Sequence, residues 1–91
     1  MLFCCKMYYT YILKSLVAPS QYYIGSTGNL RLRLGMHNGG YVKHTSKFAP
    51  WDVAAYFAFK TKKVAIDFER YLKTGSGRAF ANRHFRGDDN K

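Results

Sequence analysis

The sequence predicts a small α/β domain: a three-stranded, mainly antiparallel sheet flanked by helices, in the order β-β-α-β-α-α. Three observations lead there. The chain has 91 residues, and a chain that short buries only roughly 60–65% of the surface it exposes when unfolded, so it holds one core and not two. Its apolar residues switch between the alternation of strands and the three-to-four-residue spacing of helices. The segments between them are short and rich in turn and cap residues, with no internal repeat and no low-complexity run.

Residues 7–15 (MYYTYILKS) are aromatic and branched, which favours a strand. Alternation sets Tyr9, Tyr11 and Leu13 on one face and Tyr8, Thr10 and Ile12 on the other. Ala18, Pro19 and Ser20 supply turn chemistry, and residues 21–25 (QYYIG) return as a second strand after a loop of about five residues. Ser26, Thr27, Gly28 and Asn29 each offer an N-cap for a helix over residues 30–38. Gly35 inside that helix costs about 1 kcal/mol relative to Ala, so the helix needs tertiary support. Asn38-Gly39-Gly40 ends it, and residues 41–50 (YVKHTSKFAP) read as a mobile basic connection.

Trp51 to Phe59 is nearly continuous in apolar residues and is expected as a third, central strand. A second helix over 61–74 buries Val64, Phe68, Tyr71 and Leu72. Gly75 serves as its stop and Ser76 as the next N-cap, opening a short third helix over about 77–85. Residues 1–6 are then an N-terminal extension, 7–86 the domain and 87–91 a polar tail.

Fifteen Lys and Arg against five Asp and Glu give a net charge of +10. That balance points to a polyanionic partner, nucleic acid first and an anionic membrane surface second. No apolar stretch approaches the ~20 residues of a membrane span. Met1 to Cys5 is too short for a signal-peptide hydrophobic region of ~7–15 residues. The expectation is a soluble, cytoplasmic protein without membrane attachment. Cys4 and Cys5 are adjacent, so they neither staple a loop nor supply four zinc ligands. Before Trp51 there is no carboxylate at all, and the acidic residues are Asp52, Asp67, Glu69, Asp88 and Asp89. Any hydrolytic carboxylate comes from these.

On the first helix Leu30, Leu34 and His37 share a stripe, with Arg33 one turn before His37 at i, i+4 spacing. Arg33 reads either as a snorkelling flank residue or as a phosphate clamp, because guanidinium offers phosphate a planar fork. Arg31 points elsewhere. On the second helix Glu69 and Asp67 lie on opposite borders of the buried stripe, too far round to share one ion. Glu69 also has Lys73 at i+4, and a helix salt bridge there is worth ~0.3–0.5 kcal/mol. Tyr8, Tyr9, Tyr11, Tyr22 and Tyr23 crowd one hairpin, where aromatic pairs contribute ~0.2–1 kcal/mol each or stack unpaired bases. Residue types alone do not choose among these uses.

In order, the chain reads YTYIL in the first strand, YYIG closing the second, NLRLRLGMH in the first helix and FERYLK in the second. With the HNGG helix exit and the APW that opens the third strand, this resembles the GIY-YIG endonuclease superfamily, and among it the short stand-alone bacterial members. The resemblance runs from about Met7 to His84. YTY stands where the first motif's GIY would be, with Tyr11 as its final tyrosine, whereas Tyr23-Ile24-Gly25 matches letter for letter.

The resemblance implies a GIY-YIG nuclease-like fold and a catalytic set of Tyr11, Tyr23, Arg33, His37 and Glu69. In it Arg33 holds the scissile phosphate, Glu69 binds one divalent cation, and Gly25 lets the backbone approach closely. A carboxylate plus waters and a phosphate oxygen suits Mg²⁺, with Mn²⁺ able to substitute. Asn82 is the one asparagine near the position where many members carry one, and it is not included.

The expected function is divalent-metal-dependent hydrolysis of phosphodiester bonds, in DNA rather than RNA and selective for structure rather than sequence. Lys14, Arg31, Lys43 and Lys47 are the expected backbone contacts. The alternative is a non-catalytic nucleic-acid-binding module on the same fold. A membrane-surface protein is disfavoured because no strongly amphipathic basic helix stands out.

Overall fold

The computed structural model describes residues 6–86. The Cys4-Cys5 pair and the tail carrying Asp88 and Asp89 lie outside the described residues. The elements are β1 (Tyr8–Ser15), β2 (Tyr22–Thr27), α1 (Leu30–Asn38), a single 3₁₀ turn (Ser46–Phe48), β3 (Trp51–Phe59), α2 (Lys62–Leu72) and α3 (Gly75–Ala81). A π-type turn over Asn82–Arg86 continues α3. The expected order β-β-α-β-α-α is therefore the observed one.

β1 lies at the centre of the sheet, antiparallel to β2 on one side and to β3 on the other. Its alternation separates two cores. Tyr11 and Leu13 face α1 and cluster with Trp51, Leu30 and Leu34. Ile12 faces the opposite way and clusters with Leu72 of α2, Ala81 of α3 and the rings of Phe57, Phe68 and Phe85. Thr10 is fully buried on that second face, and its hydroxyl donates to the Ala65 carbonyl at 2.6 Å, pinning α2 to the strand. Burying each large apolar side chain contributes about 1.5–3 kcal/mol. Edge-on ring packing, as between Phe57 and Phe68 at 4.8 Å, adds to this.

β3 is an edge strand, not the central one. Its alternate residues Asp52, Ala54, Tyr56 and Ala58 are exposed, and the outward alanines are what make the segment look continuously apolar. A bulge accompanies this. The register against β1 jumps from Ile12↔Ala55 to Leu13↔Val53, leaving Ala54 as an extra residue. The extra residue shifts the phase, so Trp51 and Val53 serve the α1 core while Ala55 and Phe57 serve the other.

The caps also differ from expectation. Ser26 and Thr27 belong to β2, which extends beyond Gly25, and Asn29 caps α1 by accepting from the Leu32 amide at 3.0 Å. Thr61 caps α2. Gly75 is not a helix stop and Ser76 is not a cap. Thr74 caps α3, accepting from the Gly77 amide at 3.1 Å, and Gly75 is the first helical residue. A side chain on Gly77 would run into the Tyr71 carbonyl, so this glycine allows α3 to start hard against the end of α2.

The buried face of α2 is turned by about one residue from the predicted stripe. Val64 and Tyr71 are 46% and 41% exposed, and Ala65, Phe68 and Leu72 face inward. The rotation accompanies the Thr10 hydrogen bond, which seats the small Ala65 against the sheet. It also draws Glu69 off the solvent border.

The basic connection is not a mobile loop. Thr45 within it is 1% exposed, and its carbonyl accepts from the Trp51 indole at 2.9 Å. The Asn38 side chain brackets the Trp51 backbone, accepting from its N–H and donating to its carbonyl. Ser15 donates to the Phe48 carbonyl at 2.6 Å. Paired strand ends and a buried indole hold the segment against α1.

Candidate active site

The site is built around the Tyr11 phenol. Tyr11 is 1% exposed at the middle of β1, directly across from Gly25 on β2. Its ring lies over that glycine: a Cβ at position 25 would sit 2.6 Å from the Tyr11 hydroxyl oxygen and 2.8 Å from the ring carbon bearing it. Absence of a side chain at Gly25 is thus what lets the phenol reach across β2. Tyr23, two residues earlier on the same face of β2, lies beside it with ring centroids 6.4 Å apart.

α1 brings up the next groups. His37 is fully buried, its ring centroid 5.8 Å from Tyr11 and 5.0 Å from Tyr23. His37 Nε2 is 2.9 Å from the Tyr11 hydroxyl, and Nδ1 is 2.8 Å from the hydroxyl of Thr45. Arg33, one turn earlier, places its charge beside both groups.

The electrostatics follow from burial. Desolvation raises the Tyr11 pKa above the usual phenol value, with the neighbouring Tyr23 and Glu69 pushing the same way and Arg33 opposing them. Desolvation lowers the His37 pKa, and the Arg33 charge lowers it further. At neutral pH the pair is a protonated phenol and an uncharged imidazole.

That shift has a consequence for folding. The unfolded imidazole titrates near its ordinary pKa of about 6.5, and the folded one below it. Above the unfolded value neither state is protonated and stability is intact. As pH falls through about 6.5 towards the folded pKa, the unfolded state gains the proton first and stability is lost. The melting temperature should fall across that window, and His37→Asn should remove that part of the slope. An unchanged slope in His37→Asn would contradict the buried neutral imidazole.

Glu69 closes the site from the other face of the sheet. Its side chain is 21% exposed; Oε1 accepts from the Ser26 hydroxyl at 2.7 Å and Oε2 from Lys73 Nζ at 2.8 Å. The salt bridge read from the sequence is present, and the same carboxylate is also turned towards β2 and acts on Tyr11. Asp67 on the opposite border is half-exposed and paired with Lys63.

A family model described as the GIY-YIG catalytic domain matches residues 7–88. The chain belongs to the GIY-YIG family. Among curated proteins, it is 38% identical over 73 residues to a structure-specific endonuclease subunit SLX1 of Debaryomyces hansenii, covering 72% of this chain and 21% of that protein. It is 36% identical over 90 residues to the protein of that name in Candida dubliniensis, covering 91% and 30%. Against that of Malassezia globosa it is 43% identical over 70 residues, covering 70% and 15%. The chain spans less than a third of the length of these relatives.

Within this GIY-YIG domain the structure brings Tyr11, Tyr23, Gly25, Arg33 and His37 together on one face and sets Glu69 against Ser26 on the opposite face of β2. The basic residues are more dispersed. Arg31 lines a groove between α1 and β3 with Tyr9 and Tyr56. Lys14 is half-buried near the end of β1, and Lys43 and Lys47 are exposed on the connection, Lys47 over the Phe48 ring at 5.6 Å.

Two residues at the site escaped the sequence reading. Ser26 looked like a cap, although its place directly after the YIG glycine on an extended strand was a usable signal. Thr45 lies in a polar, basic stretch with no periodicity to mark it as buried.

Gly25→Ala should show how tightly this packing is set. The added methyl displaces a phenol that has no room to move, costing about 1–3 kcal/mol and breaking the Tyr11–His37 bond. A melting temperature and cleavage rate equal to wild type would contradict the close approach.

Proposed function

We propose that this GIY-YIG domain is a divalent-metal-dependent endonuclease that hydrolyses phosphodiester bonds, in DNA rather than RNA, and selects its target by structure rather than sequence. The observation that carries the reading is the buried Tyr11 phenol bonded to His37 at 2.9 Å, with the Arg33 charge beside the pair and one carboxylate on the opposite face. A protein that only binds nucleic acid has no use for a buried phenol–imidazole pair. The relatives are named structure-specific endonucleases, which supports the selectivity.

The carboxylate fits a cation of the hydrated kind. No group of three or more His, Cys, Asp or Glu that could cage an ion occurs among the described residues. Glu69 retains lone pairs beyond those used by Ser26 and Lys73. One carboxylate with waters and a substrate oxygen is the Mg²⁺ pattern. When bound, the cation supplies stabilisation of charge developing on the phosphate and leaving oxygens.

The chain's own residues do the rest. Arg33 holds the phosphate by a planar fork of donors. The phenol, protonated at rest, takes a proton from the attacking water while passing its own to His37 Nε2, so no free phenolate is needed. The water oxygen bonds to phosphorus, the bond to the leaving oxygen breaks, and that oxygen collects a proton from solvent. Tyr23 packs against both rings and fixes their angle.

Purified protein incubated with supercoiled plasmid and single-stranded DNA, with Mg²⁺, Mn²⁺ or EDTA, tests the reading. Metal-dependent nicking is expected; binding without nicking in either metal would make the chain a binding module instead. Binding through Lys14, Arg31, Lys43 and Lys47 should weaken by roughly 0.7–0.9 log units per log unit of salt for each phosphate neutralised. Salt-insensitive binding, or strong preference for one sequence among matched duplexes, would count against backbone contacts.

A further inference from the structure

We infer that Thr45 is a positioning residue of this site: its buried hydroxyl holds His37 in the tautomer that leaves Nε2 open to the Tyr11 proton. The catalytic meaning rests on the endonuclease reading above. The tautomer itself rests on geometry alone.

Thr45 has one hydroxyl proton and two neighbours that could take it. Its Oγ1 is 2.8 Å from His37 Nδ1 and 3.2 Å from the Val42 carbonyl, which also accepts from the Thr45 amide at 3.1 Å. Suppose the proton went to Nδ1. His37 would then carry its own proton on Nε2 and aim it at the Tyr11 oxygen 2.9 Å away. That would leave the phenol's own proton with no acceptor among the described contacts.

The opposite arrangement places every proton. Thr45 donates to Val42, His37 Nδ1–H donates to Thr45, and Tyr11 donates to Nε2. Buried polar groups are paired, so this is the arrangement the fold selects. It is not the one a free imidazole prefers, because neutral histidine in water favours the proton on Nε2. The protein must impose it. After proton transfer the same geometry serves the product, with Nδ1–H still held by Thr45 and the new Nε2–H facing the phenol oxygen. The groups facing His37 are Tyr11 from β1, Tyr23 from β2 and Arg33 from its own helix, and none of them competes for Nδ1.

Thr45 itself is anchored independently of His37. Its carbonyl accepts from the Trp51 indole, so the hydroxyl is delivered by the backbone of the connection. Thr45→Val therefore removes the hydroxyl at constant shape, and Thr45→Ser restores it.

The test is ¹⁵N-resolved NMR of the His37 ring in the full chain, with kcat and KM for cleavage by wild type, Thr45→Val and Thr45→Ser. Wild type should carry its proton on Nδ1. Thr45→Val should move it towards Nε2 and lower kcat by at least about tenfold, as expected when an imidazole in the wrong tautomer cannot accept, with KM unchanged. Thr45→Ser should restore both. A wild-type His37 protonated on Nε2 overturns the inference, as does a folded Thr45→Val that keeps the Nδ1 proton and cuts within twofold of wild type. If wild type cuts nothing, the endonuclease reading fails while the ring signals still decide the tautomer.

Discussion

Glu69→Gln should abolish cleavage while leaving nucleic-acid binding intact or tighter. The change keeps size and hydrogen-bonding capacity, so the Ser26 hydroxyl can still donate to the side-chain oxygen it now meets at 2.7 Å. What disappears is the charge that would hold the cation. The loss should exceed about 100-fold, beyond the roughly 10–100-fold that follows removal of a group merely supporting a metal ligand. Binding can tighten because a negative charge near phosphate is gone and Lys73 is released. If Glu69 acted only as the partner of Lys73, the same change would cost a few tenths of a kcal/mol, as exposed pairs do, and cleavage would continue. Asp67→Asn is the control, since it removes an equal charge from the outer border of the same helix. A folded Glu69→Gln protein that nicks plasmid within tenfold of wild type would defeat the assignment.

Tyr11→Phe should cost about 10²–10⁴-fold in cleavage, the usual worth of a positioned proton-transfer group. It removes one oxygen from a side chain that is otherwise packed in place. The loss of one hydrogen bond leaves His37 Nε2 without its donor, a penalty of about 1–3 kcal/mol for a buried polar atom. The protein should therefore melt lower yet remain folded and still bind DNA. Arg33→Ala should match it in rate but weaken substrate binding as well, because the guanidinium, whose charge lies beside the phenol, is also the proposed phosphate clamp. Tyr11→Phe retaining near wild-type kcat would show that the proton leaves by another route.

Much of this was legible in the sequence. Alternation in YTYIL placed Tyr9 and Tyr11 on one face, and i, i+4 spacing stacked Arg33 on His37, because strand and helix periods are properties of the backbone. The errors share a cause. Ala54 and Ala58 read as apolar without being buried, so β3 was set at the centre when the two-sided β1 occupies it. Small residues also obscure the face of α2: Val64 reads as the core residue, whereas Ala65 is the one buried against β1, with its carbonyl bonded by Thr10. The Thr45 contacts were out of reach. They depend on the connection folding back so that Trp51 can bond its carbonyl, an irregular arrangement that follows neither the helix nor the strand period.

The Tyr11–His37–Arg33 group and Glu69 are proposed to act together as a structure-selective, metal-dependent nuclease site. The most direct measurement is the cleavage rate of the wild-type chain on a branched DNA and on a fully paired duplex of the same sequence, each with Mg²⁺ and with EDTA. The branched substrate should be cut in Mg²⁺, faster than the duplex, with no cutting in EDTA. Binding of both substrates with cleavage of neither, in Mg²⁺ or Mn²⁺, would contradict it.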